Sequence, residues 1–292
     1  MRRTPGLVIA GLALVGCGDG KGSGGVDAPS GDSVSADTPP STTFGTPMAV
    51  TLMPGVGIDD DPSLTADLLD LYFNRDGDIY TAHRTSPTAP FGTPTKLTEL
   101  SGTTSYETGP HISGDGLTIY FSSDRTGANQ SVFVATRASK SDPFGVPVID
   151  DEVSSPQDDA GPSVTDDGLA LVLSSVRDGG NPDLFIATRA SKTVPFGAAT
   201  AITPVNTIAS ENSPMLSADK LTLFWDANPG TSGDLYYATR ASATGTFGAP
   251  MAIAELNTPS EEGDLWVSPD GRHCIFVSNR GGSTYSFYEA SR

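Results

Sequence analysis

Five acidic residues recur at one spacing. Asp59, Glu107, Asp159, Glu211 and Glu262 each stand six positions before the Ser or Thr of a repeated turn. Carboxylates gathered at one point could bind a cation or a basic peptide, or act as general acid and base. Gathered like charges would also raise some of their own pKa values. A structural reading competes with this one. A residue type fixed in every copy of a repeat usually serves the repeat itself. Here Arg75, Arg125, Arg177 and Arg280 recur in the loops where each could pair with its copy's acid. The structural reading is favoured and the ligand reading stays open. The fourth copy has no such arginine, which predicts unbalanced negative charge around Glu211.

Other chemistry is sparse. Of His83, His111 and His273, no two share metal-ligand spacing. His111, on an expected channel-lining strand, is the one histidine worth testing as a ligand contact, although a structural role is favoured for it too. Cys274 aligns with Leu71, Ile119, Leu171 and Leu223, so it reads as a small buried hydrophobe. Asp67, Asp115, Asp167, Asp219 and Asp270 sit in the repeated turns and read as Asx-type caps. The runs Asp59-Asp60-Asp61 and Asp150-Asp151-Glu152 could offer oxygen ligands to Ca²⁺, but without EF-hand spacing they read as solvated loops. No Gly-x-Ser-x-Gly elbow, P-loop or dinucleotide fingerprint is present. No catalytic residue, metal site or cofactor is therefore assigned.

These residues are positioned by a unit written five times. Phe-Gly recurs at Phe44, Phe91, Phe144, Phe196 and Phe247, at intervals of roughly fifty residues. In the second copy Pro110–Ser113 predicts a first strand and Asp115-Gly116 a hairpin turn. Leu117–Phe121 alternates and predicts a second strand. Ser131–Thr136 predicts a third, and Phe144–Val148 begins a fourth. No segment holds a helical period. Four short antiparallel strands per repeat predict an all-β fold, a five-bladed β-propeller of four-stranded blades over 43–292. The fifth copy ends after its third strand, while an unmatched Phe-Gly strand, Thr43–Val50, opens the repeats. Pairing the two would complete the last blade and remove exposed edges.

The run acid–x–x–Pro–x–x–Ser–x–Asp–Gly, then Ile-Tyr-Phe-Ser-Ser-Asp-Arg, resembles the TolB-like, WD-like propeller repeat of bacterial envelope proteins. Glu107–Arg137 carries it best. The fourth copy departs, with Asp226-Ala-Asn-Pro229 where Ser-Ser-Asp-Arg is expected. The resemblance implies architecture and little about activity.

Met1-Arg2-Arg3, the apolar run Leu7–Val15 and Leu14-Val15-Gly16-Cys17 resemble a lipoprotein signal peptide over 1–17. Its lipobox would place the lipid on Cys17. Residues 18–42 hold six Gly and four Asp and no aromatic residue, and read as a flexible linker. Such a chain reaches roughly 28 Å.

The whole chain has 292 residues with 35 acids against 17 bases, a net charge of −18. That balance sets nucleic acid aside as a partner. The expected function is a monomeric, membrane-anchored envelope scaffold that binds a protein or a glycan. Its expected address is the periplasmic or surface side of the outer membrane. The alternative is a glycoside hydrolase-like propeller with carboxylates at the channel mouth. Against it, catalysis requires blades to differ, and the five aligned acids look alike.

Overall fold

The computed structural model describes residues 43–52, 57–228, 232–282 and 284–292. Cys17 and the linker at 18–42 lie outside the described residues. Twenty strands and no helix are present among the described residues. They form five four-stranded antiparallel sheets arranged as a five-bladed β-propeller.

Blade 1 runs β2 (Asp59–Leu64), β3 (Asp70–Arg75), β4 (Asp78–His83) and β5 (Thr95–Lys96) from axis to rim. Blade 2 is β6 (Glu107–Ile112), β7 (Thr118–Ser123), β8 (Ser131–Thr136) and β9 (Val148–Ile149). Blade 3 is β10 (Asp159–Val164), β11 (Ala170–Ser175), β12 (Asp183–Thr188) and β13 (Thr200–Ala201). Blade 4 is β14 (Glu211–Leu216), β15 (Thr222–Ala227), β16 (Asp234–Thr239) and β17 (Met251–Ala252). Blade 5 is β18 (Glu262–Val267), β19 (His273–Ser278) and β20 (Ser286–Ser291), closed at the rim by β1 (Met48–Ala49). Met48 pairs with Glu289 and Ala49 with Tyr288, so the first described strand completes the last blade.

Two details differ from the pattern read in the sequence. The innermost strand of blade 2 begins at Glu107 rather than Pro110, because a bulge between Thr108 and His111 divides it. The outer strand is only two residues long and starts after Phe144-Gly145. That dipeptide is a latch instead.

Each latch is built alike. The Phe ring lies under the guanidinium that ends the third strand of its own blade: Arg84 over Phe91 at 4.4 Å, Arg137 over Phe144 at 4.4 Å, Arg189 over Phe196 at 4.2 Å, Arg240 over Phe247 at 4.4 Å. The fifth latch joins the two ends of the ring, with Arg292 over Phe44 at 4.7 Å. The following glycine donates its N–H back to the third strand, as Gly145 does to Thr136 O at 2.8 Å and Gly45 to Ser291 O at 2.8 Å. Each Arg Nε also donates to a carbonyl of the turn between the first and second strands. One arginine thus ties rim, third strand and inner turn together.

The core lies between blades. Tyr72 and Ile79 of blade 1 pack with Ile112, Ile119, Phe121 and Phe133 of blade 2. Second strands are covered on both faces, so they read as nearly continuous apolar runs such as Ala-Leu-Val-Leu in β11. The inner turns work as caps: Ser113 Oγ donates to Asp115 Oδ1 at 2.6 Å, and Leu117 N–H to the same oxygen at 3.0 Å. The other four turns repeat the first of these bonds.

Phe44→Ala should therefore destabilise the ring by about 3–5 kcal/mol, as for a buried core phenylalanine, although Phe44 stands near the chain's start. Chemical denaturation of Phe44→Ala beside Phe144→Ala checks this, with equal losses expected.

Candidate functional site

The five aligned acids begin the five inner strands, and the structure does not bring them together. Each turns into its own blade. Asp59 accepts from Arg75 Nε at 2.5 Å and Nη2 at 2.8 Å. Glu107, Asp159 and Glu262 lie 3.1, 2.5 and 3.1 Å from Arg125, Arg177 and Arg280. Glu107, Asp159, Glu211 and Glu262 are buried. Glu107 also accepts from Ser105, Ser123 and the Gly102 N–H. None of the five lines the two small cavities on the axis. Glu211 has no arginine. It accepts from Thr207 Oγ1 at 2.5 Å and Thr207 N–H at 3.2 Å, and burial pushes its pKa up.

A different set of carboxylates meets at the axis. Every inner strand carries its bulge at the third residue, and that residue is left-handed: Asp61 (φ 54°), Gly109 (58°), Gly161 (56°), Ser213 (48°) and Asp264 (51°). Blades 2 and 3 use glycine there, which takes this φ freely. At Gly109 a Cβ would come within 2.9 Å of Gly161 Cα, so close approach also demands glycine. Blades 1, 4 and 5 instead place polar side chains at the axial mouth, against the backbone preference.

The result is a cluster of Asp60, Asp61, Asp226 and Asp264. Asp61 Oδ2 accepts from Asn74 Nδ2 at 3.0 Å and, across to the next blade, from Gly109 N–H at 2.8 Å. Ser213 Oγ donates to Asp264 Oδ1 at 2.5 Å, and Asp264 N–H to Asp226 Oδ1 at 3.3 Å. Asp264 is the shared neighbour. Burial, and then the charge of Asp264, push Asp61 and Asp226 up to about 7. The same two causes, with Asp61 added, drive Asp60 still higher. Such a set holds protons at neutral pH and would give them up to an arriving cation.

All four of these acids escape an alignment on the turn. Asp60 and Asp61 are visible only as part of an acid run, and Asp264 gives no local signal. The available clue is departure from the repeat. The third inner-strand residue reads Asp, Gly, Gly, Ser, Asp, and Asp226 stands where blades 2 and 3 have Ser122 and Ser174.

The remaining candidates are elsewhere or inert. His111 lies on the axial wall with Nε2 at 2.9 Å from Val164 O, and burial lowers its pKa to about 4. It is a neutral wall residue. His83 is exposed beside Asp70. Cys274 is buried and pushed up to about 12, so its thiol is unreactive. No three Asp, Glu, His or Cys among the described residues are disposed to hold a metal ion.

No family model and no curated protein sequence matches this chain. Solved structures do. An endo-arabinase of Bacteroides thetaiotaomicron superposes with a TM-score of 0.61 at 13% identity, over 86% of this chain and 97% of that one. A GH62 α-L-arabinofuranosidase catalytic domain of Coprinopsis cinerea gives 0.55 at 12% identity, over 86% and 97%. A TolB of Agrobacterium tumefaciens gives 0.53 at 17% identity, over 77% and 71%. At these identities the likeness is one of fold, and the fold hosts both enzymes and TolB.

Two outcomes are expected. Glu262→Gln breaks a buried ion pair and should cost about 3–5 kcal/mol. Glu211→Gln has no cation to strand and should cost about 1 kcal/mol. Urea titrations of the two single variants check the contrast.

The second concerns pH. Asp61 and Asp226 bind protons more tightly folded than unfolded, so their contribution is full below the unfolded value, 3.8, and is lost as pH rises through about 7. His111 acts oppositely, losing stability as pH falls from 6.5 towards about 4. Between about pH 6.5 and 8.5 the acids outweigh what remains of the His111 contribution, and Tm should fall. Asp264→Asn should flatten that slope and stabilise the protein at pH 8.5 by about 1–2 kcal/mol. Thermal melts across this range measure both.

Proposed function

We propose that this chain is a lipid-anchored protein of the bacterial envelope whose propeller is a binding scaffold. Its recognition site is the acidic axial mouth, and its partner is a protein segment bearing a basic side chain. The observation that carries this is the confinement of four carboxylates to blades 1, 4 and 5, with two of them pushed up to about 7. A half-buried like-charged cluster in strained backbone costs stability, and such costs concentrate at functional sites.

The surroundings support a protein partner. Ile58, Tyr106, Ile208 and Tyr285 are exposed large side chains on loops of the same face, Ile208 to 98%. An apolar rim around an acidic centre suits a peptide or loop with one Lys or Arg among apolar residues. Four arginines, Arg75, Arg125, Arg177 and Arg280, reach this side of the propeller, but each folds back onto the acid of its own blade and leaves the mouth negative. Address comes from the sequence alone: a lipid on Cys17 and the linker at 18–42 would hold the propeller near a membrane, periplasmic or at the surface side of the outer membrane.

A glycoside hydrolase uses the same acids differently. The raised Asp61 and Asp226 favour that second reading, because a general acid must hold its proton near neutral pH.

A Lys-containing apolar peptide titrated into the propeller should bind more tightly as pH rises, by up to about tenfold per unit near pH 7 for each proton released. Asp226→Asn with Asp264→Asn should abolish binding and leave the fold intact. Turnover of aryl glycosides that is lost in the same variant would replace the scaffold with the enzyme. Cys17→Ser should move the protein from the membrane to the soluble fraction.

A further inference from the structure

Blade 1 lacks a loop that its neighbours have. Its second and third strands are joined by the tight turn Asp76-Gly77, with φ of 53° and 83°. Backbone bonds fix the comparison between blades. Gly77 O accepts from Glu107 N–H, as Gln130 O accepts from Asp159 N–H and Pro182 O from Glu211 N–H. Asp76 Oδ1 accepts from Ile58 N–H, as Asp124 Oδ1 does from Tyr106 N–H. Residues 125–129 of blade 2 and 177–181 of blade 3 therefore have no counterpart in blade 1.

In blades 2 and 3 that loop bonds to the connection leading into the next inner strand. Asn129 Nδ2 donates to Pro156 O at 2.7 Å, and Asn181 Nδ2 to Ile208 O at 2.9 Å. Each acceptor stands three residues before its buried acid, Asp159 or Glu211. The same place before Glu107 is Thr104. No group among the described residues donates to Thr104 O. A groove of about 550 Å³ opens instead, on the mouth face, between the turn and the connection at 101–106.

The connection is altered as well. Six residues separate Leu100 from Glu107, against five between Val153 and Asp159 and five between Val205 and Glu211. Its last residue, Tyr106, stands where blades 3, 4 and 5 have Asp158, Ser210 and Glu261. The ring rests on the turn, so that a Cβ on Gly77 would lie 2.3 Å from it, yet the residue is 62% exposed. A free backbone acceptor beside an exposed aromatic wall is what a polypeptide loop needs in order to dock.

We infer that this groove docks a loop of the protein partner, one bearing an Asn or Gln. Its carboxamide donates to Thr104 O as Asn129 and Asn181 donate in their own seams, and its backbone packs on Tyr106. A carboxylate in that place would set acceptor against acceptor. The inference rests on the protein partner proposed above, but not on the charge of the acidic mouth.

The probe is a head-to-tail cyclic peptide copying residues 123–131 of this chain, Ser-Asp-Arg-Thr-Gly-Ala-Asn-Gln-Ser, titrated into the full chain by calorimetry. It should bind. The same peptide with alanine at the position of Asn129 should bind at least about fivefold more weakly, the loss expected for one hydrogen bond. A variant with Ser-Thr-Gly-Ala-Asn inserted between Asp76 and Gly77 fills the groove from within. It should keep the wild-type circular dichroism spectrum, lose the cyclic peptide and still bind the Lys-containing apolar peptide at the mouth. No binding of the cyclic peptide to the wild-type chain would overturn the inference, and retained binding of the Lys peptide would leave the acidic mouth standing. Equal binding of the two cyclic peptides by the wild-type chain would overturn it whether or not the inserted variant folds. Equal binding of the cyclic peptide by the folded insertion variant would overturn it too. Binding of N,N′-diacetylchitobiose without the cyclic peptide would put a glycan in place of the loop and so contradict it.

Discussion

The ring stands on one interaction used five times, an arginine at the end of the third strand stacked on the phenylalanine that leads into the rim. A cation over an aromatic face is worth about 0.5–2 kcal/mol by itself. Its importance here is geometric. The same guanidinium is hydrogen-bonded to the inner turn, and the residue after the phenylalanine is hydrogen-bonded to the third strand. A blade cannot slip in register without losing all three. In blade 5 the phenylalanine comes from the other end of the chain, so Phe44 on Arg292 turns a row of blades into a closed ring.

A closed ring can hold what an open sheet could not. The first layer of charge, Asp59, Glu107, Asp159 and Glu262 against their arginines, is paired and, apart from half-buried Asp59, buried, and it fixes the loops that bring each inner strand to the axis. Among the described residues no cation pairs with the second layer. Asp60, Asp61, Asp226 and Asp264 repel one another, on a backbone that bends left-handed at two of them. The ring supplies the rigidity that keeps these groups together. Blades 2 and 3 contribute glycines at the equivalent places, so the mouth is acidic on one side and bare backbone on the other.

The sequence shows the architecture because every repeat carries the same latch, cap and acid–arginine pair. Phe44 without three strands of its own before it already implies closure, and a loop arginine in four copies already implies a strut. The site is harder to read. Spacing from the turn picks out the first residue of the inner strand, whereas the bulge after the second residue turns the third towards the axis. Nothing in Asp59-Asp60-Asp61 distinguishes the residue that pairs with Arg75 from the two that face the mouth. Asp264 is joined to Asp226 and Asp61 only by the fold, across two blade boundaries. Repeats advertise what they share, and chemistry here lies where they differ.

Protonation of the mouth at neutral pH is the central claim, and carbon-13 NMR of the aspartate side-chain carboxyls reads it directly. A pH titration should show two carboxyls, lost in turn in Asp61→Asn and Asp226→Asn, that titrate near 7, far above the ordinary 3.8. Titration of every aspartate carboxyl within about one unit of 3.8 would contradict the account.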